Sequence, residues 1–314
     1  MTLEVGAMTV AGIAALVAGF ALARGRFRAA SGMDRIFVLA PVFEAAPLAV
    51  FSMEHLTAAN DLVGIVPKWL PAHLFWVYFF GVALLAAAVS FVINRCVRLS
   101  ALLLAFFFLL MVVTLDVPGI PKEFHERFFW ILTFRETSFA GGALVLAGSV
   151  WPGGRAVGAA LMRIGRWIVA GVMVFYSIEH FMHPHNVVGV PLEKITPAWM
   201  PAAPLIAYLV GFVLLVAGVA LFFRSTARIA AAGAGTVLLV VTFFFYIPIL
   251  VSELHSAPQE VEGLNYIYDT MLWAATVLLA GLDHQLPGKG DQRGRIEELG
   301  SRERTPQSSV STGT

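Results

Sequence analysis

The chain has 314 residues, of which 59% are hydrophobic and 13% are charged, and its mean hydropathy is +0.81. Roughly a quarter of the residues of a soluble protein are charged, so this composition excludes a soluble globular protein. The formal net charge of +1 gives no basis for a nucleic-acid partner, and we expect the lipid bilayer to be the main partner.

Nine continuous apolar runs follow one another along the chain. Each has about 18 to 22 residues, close to the length that a helix needs to cross a bilayer core. The runs do not alternate between apolar and polar residues, which favours helices over strands. We therefore predict an all-α membrane protein with nine transmembrane helices, at 3–23, 35–55, 73–93, 98–117, 128–149, 163–182, 203–223, 228–250 and 266–283.

The basic residues divide unequally between the two sides of this predicted topology. Of the 21 Lys and Arg residues, 16 fall on one side, in the segments 24–35, 95–98, 155–166 and 224–228 and in the tail. Because Lys and Arg of short loops collect in the cytoplasm, we predict a multi-pass cell-membrane protein with its N-terminus outside and its C-terminus inside. Residues 284–314 are rich in Gly, Ser, Arg and Glu and are predicted to be a disordered cytoplasmic tail.

The sequence also excludes several kinds of active site. Cys96 is the only cysteine, so neither a Cys-x-x-Cys dithiol nor an iron–sulfur centre held by this chain's thiolates can form. The dinucleotide fingerprint, the P-loop and the Gly-x-Ser-x-Gly motif do not occur. Whether the protein is an enzyme stays open at this stage.

Residues 51–148 recur imperfectly as residues 176–281, which predicts a tandem duplication. An offset of 125 relates Phe51–His55 to Tyr176–His180, and both segments contain Ser, Glu and His at the same positions. An offset of 130 relates a set of prolines, a tryptophan, a glycine and a histidine: Pro67, Trp69, Pro71, Gly81, Pro118 and His125 recur as Pro197, Trp199, Pro201, Gly211, Pro248 and His255. An offset of 133 relates three residues near the end of each repeat: Glu136, Thr137 and Gly148 recur as Asp269, Thr270 and Gly281.

The duplication divides the chain into four predicted parts. Residues 1–34 form an extra N-terminal transmembrane helix and a cytoplasmic loop, and residues 284–314 form the tail. Residues 35–150 and 163–283 form two repeats of four helices each. Four is an even number of crossings, so both repeats enter the membrane from the same side and are parallel, related by an axis along the membrane normal.

Four charged residues fall inside the predicted spans and form the candidate intramembrane polar site. Glu136 and Asp269 occupy equivalent positions in the two repeats, and a carboxylate at this depth is costly enough to suggest proton or ligand handling, or structural hydrogen bonding. Glu44 and Arg135 occur in the first repeat alone, where Val169 and Tyr268 replace them in the second. Because both charges are lost together, we predict that Glu44 and Arg135 form a buried ion pair.

A second group of polar residues lies near the outer face. One interpretation is that these residues anchor the helices at the interface and cap backbone groups; the other is that they form an outer polar pocket. The residues are Glu54, His55, His125, Glu179, His180 and His255. His180, His183 and His185 also suggest a metal site, but Ala58 and Asn60 replace the last two in the first repeat, so we predict neither metal nor haem.

Each repeat combines a polar end of its first helix, an outer loop with prolines and a last helix rich in small residues. In this the chain resembles the DoxX-like membrane family, over residues 35–149 and 163–283. The resemblance implies an accessory role in quinone-linked redox chemistry, with quinone as the cofactor and a membrane redox partner. The residues leave two alternatives open: a non-enzymatic binder or transporter of a small ligand, including an apolar one, and a scaffold for a membrane complex.

Overall fold

The computed structural model describes residues 2–152, 155–254 and 257–283, which form helices joined by loops, and one isolated β-bridge joins Asn186 to Ile195. His255 and the predicted tail lie outside the described residues. The long helices are α1 (Leu3–Ala29), α2 (Asp34–Thr57), α3 (His73–Ile93), α4 (Val97–Glu123), α5 (Arg127–Ser149), α6 (Arg155–Met182), α7 (Ala203–Leu221), α8 (Ala227–Ser252) and α9 (Ala257–Ala280).

Seven of these helices, α1 to α4 and α6 to α8, are long and apolar enough to cross a membrane. The prediction of a helical, polytopic membrane protein is confirmed to this extent, while the count of nine spans stays a prediction. Helices α5 and α9 are not among the seven, although they have 23 and 24 residues. Other helices cover much of both, so polar residues in them can find protein partners instead of facing lipid.

The centre of the molecule consists of α2, α5, α6 and α9. Helix α9 packs against α2, α5 and α8, and α5 packs against α4 and α6. Glycines permit these close approaches, as the sequence predicted for Gly141 and Gly142. A Cβ atom on Gly142 would lie 3.0 Å from Cγ2 of Thr276 in α9, and one on Gly141 would lie 2.9 Å from the carbonyl oxygen of Gly165 in α6.

The two ends of the bundle differ in charge. We call one the arginine-rich end; it holds Arg24, Arg26, Arg28, Arg35, Arg95, Arg98, Arg163, Arg166, Arg224 and Arg228. The other, the loop end, holds the connections 58–72 and 183–202. At the arginine-rich end, Asn94 takes a left-handed conformation with φ of 53° and ends α3, which is a common way to terminate a helix.

Residues 35–149 and 163–283 have the same local backbone features at equivalent positions. Helices α4 and α8 are each interrupted by a π-helical stretch, at Val112–Asp116 and Thr242–Tyr246. Ala72 and Ala202, which precede α3 and α7, both have positive φ, at 56° and 54°. All of these pairs are related by the offset of 130 seen in the sequence.

Candidate functional site

Arg135 lies between the two carboxylates that recur in the sequence. Its Nη1 is 3.2 Å from Oδ2 of Asp269, and its Nη2 is 3.8 Å from Oε1 of Glu136. Arg135 and Glu136 belong to α5 and Asp269 belongs to α9, so the ion pair joins the last helices of the two predicted repeats. Three of the four predicted intramembrane residues therefore form one cluster.

The predicted ion pair between Glu44 and Arg135 is wrong. Arg135 binds Asp269, and both carboxyl oxygens of Glu44 are buried without a hydrogen-bond partner among the described residues. The prediction rested on similar depths of the two residues below the outer face of the membrane, estimated from the helical rise of about 1.5 Å per residue. Depth does not fix the direction of a side chain, and α2 packs chiefly against α1, α3 and α9 rather than against α5.

Two more acidic residues lie near this guanidinium. Asp116 ends the π-helical stretch of α4, within hydrogen-bonding reach of the Thr133 hydroxyl and within electrostatic range of Arg135. Glu54 of α2 is also within range of Arg135, and the Asn265 amide donates to its Oε1 at 2.9 Å. The guanidinium thus has two carboxyl groups within 4 Å and two more within electrostatic range, an excess of negative charge that favours binding of protons or cations over anions.

The cluster is enclosed by helices, but Arg135 is not fully buried. Of its side-chain surface 24% is exposed, against 6% for Asp269. Several buried polar atoms of the cluster have no hydrogen-bond partner within the described part of the chain: Nε of Arg135, Oε2 of Glu136, Oδ2 of Asp116 and Oδ1 of Asn265. Unpaired buried atoms of this kind are normally satisfied by water or by a ligand.

The candidate outer pocket does not form as one site. Glu54 is bound by Asn265, whereas Glu179 is bound by Arg127, whose Nε donates to its Oε2 at 2.6 Å. The His55 ring contacts the Phe51 carbonyl oxygen through Nδ1 at 2.7 Å and stacks on Phe80. His125 is exposed and packs its ring edge to face with Phe124.

Both ring nitrogens of His180 are bound to the backbone. The Gly189 N–H donates to Nε2 at 3.0 Å, so Nδ1 carries the proton and donates to the Tyr176 carbonyl oxygen at 2.6 Å. This neutral ring has no lone pair left for a metal ion. Within the ranges that the structure describes, no group of three or more His, Cys, Asp or Glu side chains could hold a metal.

His180 holds a buried part of the loop after α6, residues 186–194, which we call the plug segment. Val187, Val188 and Val190 are at most 1% exposed. The Tyr246 hydroxyl donates to the Val188 carbonyl oxygen at 2.6 Å. The segment thus fills the loop end of the second half. The burial of this segment was not predicted from the sequence, although the apolar run 187–190 is a signal for it.

Salt bridges hold the far end of the plug segment. Nζ of Lys194 is 2.7 Å from Oε1 of Glu253 and 3.2 Å from Oε1 of Glu262. Burial alone lowers the pKa of Lys194, but the hydrogen bonds and negative charges of these two carboxylates outweigh it, so the pKa is raised. Arg127 also donates to the Pro191 carbonyl oxygen at 2.6 Å.

The first half has a different arrangement at the equivalent place. Asp116 occupies the position of Tyr246, and the loop 58–72 is mostly exposed or half-buried. The Tyr246 hydroxyl is hydrogen-bonded to Val188, whereas Oδ2 of Asp116 has no hydrogen-bond partner among the described residues. The unpartnered carboxyl groups near Arg135 therefore include one, Asp116, that has no counterpart in the second half. Sequence analysis missed Asp116 because it lies at the end of a predicted span, where a charged residue needs no explanation.

Comparison with known proteins gives a family match over part of the chain. Residues 44–117 match the model of a family described as a domain of unknown function (DUF8561). The match runs from Glu44 in α2 to the end of the π-helical stretch in α4 and covers less than half of the chain. No curated protein and no solved structure matches the chain.

Proposed function

We propose that the protein is a non-enzymatic membrane transporter that binds protons, and with them a small basic solute, at the carboxyl groups around Arg135. The observation that carries this proposal is the pair of carboxylates, Glu136 and Asp269, within 4 Å of the partly exposed Arg135 guanidinium, with the carboxyl groups of Asp116 and Glu54 in electrostatic range. Ionisable residues at membrane depth are costly to keep and commonly mark proton relays and ion pathways. Four carboxyls sharing one cation titrate as a coupled set, so a solute can change their protonation by binding.

Proton flux into proteoliposomes tests this proposal. The purified protein is reconstituted with an internal pH-sensitive dye, the membrane potential is clamped, and the external pH is changed. We expect the wild type to move protons and Glu136→Gln and Asp269→Asn to lose most of that flux. Glu126→Gln, which changes an exposed carboxylate, is the matched control. A wild type that moves no more protons than empty vesicles, with or without a panel of small amines, contradicts the proposal.

The proposal includes nine spans arranged as an extra helix and two parallel, DoxX-like repeats. Equivalent packing supports it: Gly81 of α3 lies against His55, and Gly211 of α7 lies against His180. In addition, the first helix of each half presents a glutamate to the last helix of the other half, Glu54 to α9 and Glu179 to α5. This exchange is what a twofold axis along the membrane normal produces.

The proposed topology puts the arginine-rich end in the cytoplasm. Single cysteines at positions 60, 122 and 260, in a Cys96→Ser background, should react with an impermeant thiol reagent on intact cells. Cysteines at positions 96 and 160 should react only after permeabilisation. Reaction at position 260 only after permeabilisation would overturn this orientation.

The quinone-linked role implied by the DoxX-like resemblance is the competing hypothesis. It is supported by that resemblance alone. A visible spectrum and mass spectrometry of the lipid extract from the purified protein decide between the two. A retained quinone that exchanges electrons with a redox partner, together with absent proton flux, would favour the redox role.

A further inference from the structure

Glu44 is the one residue of the predicted intramembrane polar site that does not belong to the Arg135 cluster. It is 0% exposed, and neither of its carboxyl oxygens has a hydrogen-bond partner among the described residues. An acidic side chain in such a position is costly, and the equivalent residue of the second half, Val169, avoids that cost. A role that requires a titratable group explains why Glu44 is present.

Neighbouring residues show which way Glu44 points. Val42 and Val50 lie against glycines of α1, whereas Phe37 touches Gly281 at the end of α9. Glu44 follows Phe37 by seven residues, which is about two helical turns, so both project from the same face of α2. Glu44 therefore faces the α9 side of the bundle, away from α1.

The same contacts give the depth of Glu44. Phe37 is level with Gly281, and Val50 and Tyr268 both lie against Gly12 of α1. These two levels define one antiparallel register of α2 and α9, in which Glu44 is level with residue 274. Asp269 is then about five residues, or roughly 7 Å, closer to the loop end than Glu44.

A cavity of about 280 Å³ leads from the arginine-rich end towards Glu44. Phe37, Val38 and Pro41 of α2 form part of its wall, and Asp34, Arg228 and Asp283 lie at its mouth. Pro41 precedes Glu44 by three residues, so the cavity ends about one helical turn short of the carboxyl group. Its volume is enough for several water molecules, each of which occupies about 30 Å³ in the liquid.

Two further polar residues of α9 lie within about two residues of the level of Glu44: Trp273, which packs against Tyr176 of α6, and Thr276, which lies against Gly142 of α5. Asp269, Trp273 and Thr276 have the spacing of one helix face. Nε1 of Trp273 and Oγ1 of Thr276 are buried without a hydrogen-bond partner in the described ranges. Ionisable groups of α1 and α3 lie towards the ends of those helices, so Asp269 of α9 is the acidic neighbour nearest in depth to Glu44.

We propose that Glu44 is the inner proton-binding residue of the transport path and connects the cavity at the arginine-rich end to the Arg135 cluster. This inference rests on the proposed function. A hydronium ion in the cavity gives its proton to the Glu44 carboxylate, leaving water and a neutral carboxylic acid. The O–H bond of that acid then breaks, and the proton passes through bridging water to the carboxylate of Asp269 or Glu136, which restores the Glu44 carboxylate. The reverse sequence moves protons the other way.

The proteoliposome assay tests this step with Glu44→Gln, which keeps the size of the side chain and removes its titration. We expect the proton flux to fall by about 100-fold, the low end of what a positioned acid–base group contributes. Glu193→Gln, an exposed carboxylate in the loop after α6, is the control and should keep wild-type flux. Glu44→Val, which copies the second half, should lose flux like Glu44→Gln and remain monodisperse in detergent.

The outcomes separate the two proposals. A wild type without proton flux contradicts the proposed function itself. Wild-type flux that persists in Glu44→Gln, while Asp269→Asn abolishes it, contradicts the role of Glu44 alone.

A measurement that leaves Glu44 intact covers the case in which its variants fail to fold. In a Cys96→Ser background, Val38→Cys places a thiol on the cavity wall and Ile229→Cys places one on the exposed surface at the same end, where Ile229 is 67% exposed. A bulky thiol reagent should stop proton flux through the first variant and not the second. Unchanged flux after complete labelling at position 38 would overturn the proposed path.

Discussion

A double-mutant cycle on Arg135 and Asp269 tests the central contact of the structure. Arg135→Met keeps the length of the side chain but removes its charge, and leaves the Asp269 and Glu136 carboxylates without a cation. Breaking one side of a buried ion pair typically costs about 3 to 5 kcal/mol. At the observed 3.2 Å, and with an effective dielectric constant of about 20, the gross attraction is roughly 5 kcal/mol, part of which offsets desolvation.

We therefore expect Arg135→Met to lower the free energy of unfolding by about 3 kcal/mol and Asp269→Asn by a similar amount. The double variant should lose much less than the sum, with a coupling energy of roughly 2 to 3 kcal/mol. The measurement is reversible unfolding in mixed micelles, followed by circular dichroism as the fraction of denaturing detergent rises.

A second cycle, on Arg135 and Glu44, is the internal control because both residues are ionisable, lie inside the helix bundle and belong to the same half. Glu44 and Arg135 make no contact, so their losses should add to within about 0.5 kcal/mol. A coupling between Arg135 and Glu44 as large as that between Arg135 and Asp269 would refute the pairing described here. It would restore the ion pair that the sequence predicted.

Three further predictions concern the plug segment. Gly189→Ala should lower the free energy of unfolding by about 1 to 3 kcal/mol, because φ there is 98° and a Cβ atom would lie 2.9 Å from Cγ2 of Thr270. His180→Ala leaves the Gly189 N–H without its acceptor, so it should lower the free energy of unfolding by about 1 to 3 kcal/mol and speed hydrogen exchange at that amide. His185→Ala, which changes an exposed side chain, should lower it by less than about 0.5 kcal/mol. The raised pKa of Lys194 means that its salt bridges stabilise the fold fully below pH 10.5, the ordinary pKa of lysine, and that this stability is lost as pH rises through the raised pKa. An unfolding titration at alkaline pH should show this loss in the wild type and not in Lys194→Met.

Hydropathy predicted where the helices lie but not where they end. The sixth predicted span starts at 163, whereas α6 starts at Arg155, and the last predicted span starts at 266, whereas α9 starts at Ala257. The length of each apolar run corresponds to the thickness of the hydrocarbon core and not to the length of the helix. A helix continues beyond that core for as long as its backbone hydrogen bonds and side-chain contacts hold it, and the polar turns that result carry no hydropathy signal.

The sequence identified most charged residues of the cluster but not their partners. Glu136 and Asp269 stood out because they recur, and Arg135 because it is charged within an apolar run. Their pairing depends on which helices are neighbours, and equal depth along separate helices does not determine that. Asp116, at the end of a predicted span, carried no such signal, and only the packing of α4 against α5 brings it near Arg135.

The differences between the two halves favour one shared site over two. Val169, Tyr246 and Tyr268 of the second half stand where the first half has Glu44, Asp116 and Arg135. Each replacement removes a buried or half-buried ionisable group, and the plug segment fills the loop end of the same half. A charge at membrane depth costs a few kcal/mol unless function requires it. On the proposed duplication, the second half therefore lost groups that it did not need and kept Asp269, the one carboxylate that reaches Arg135 across the interface.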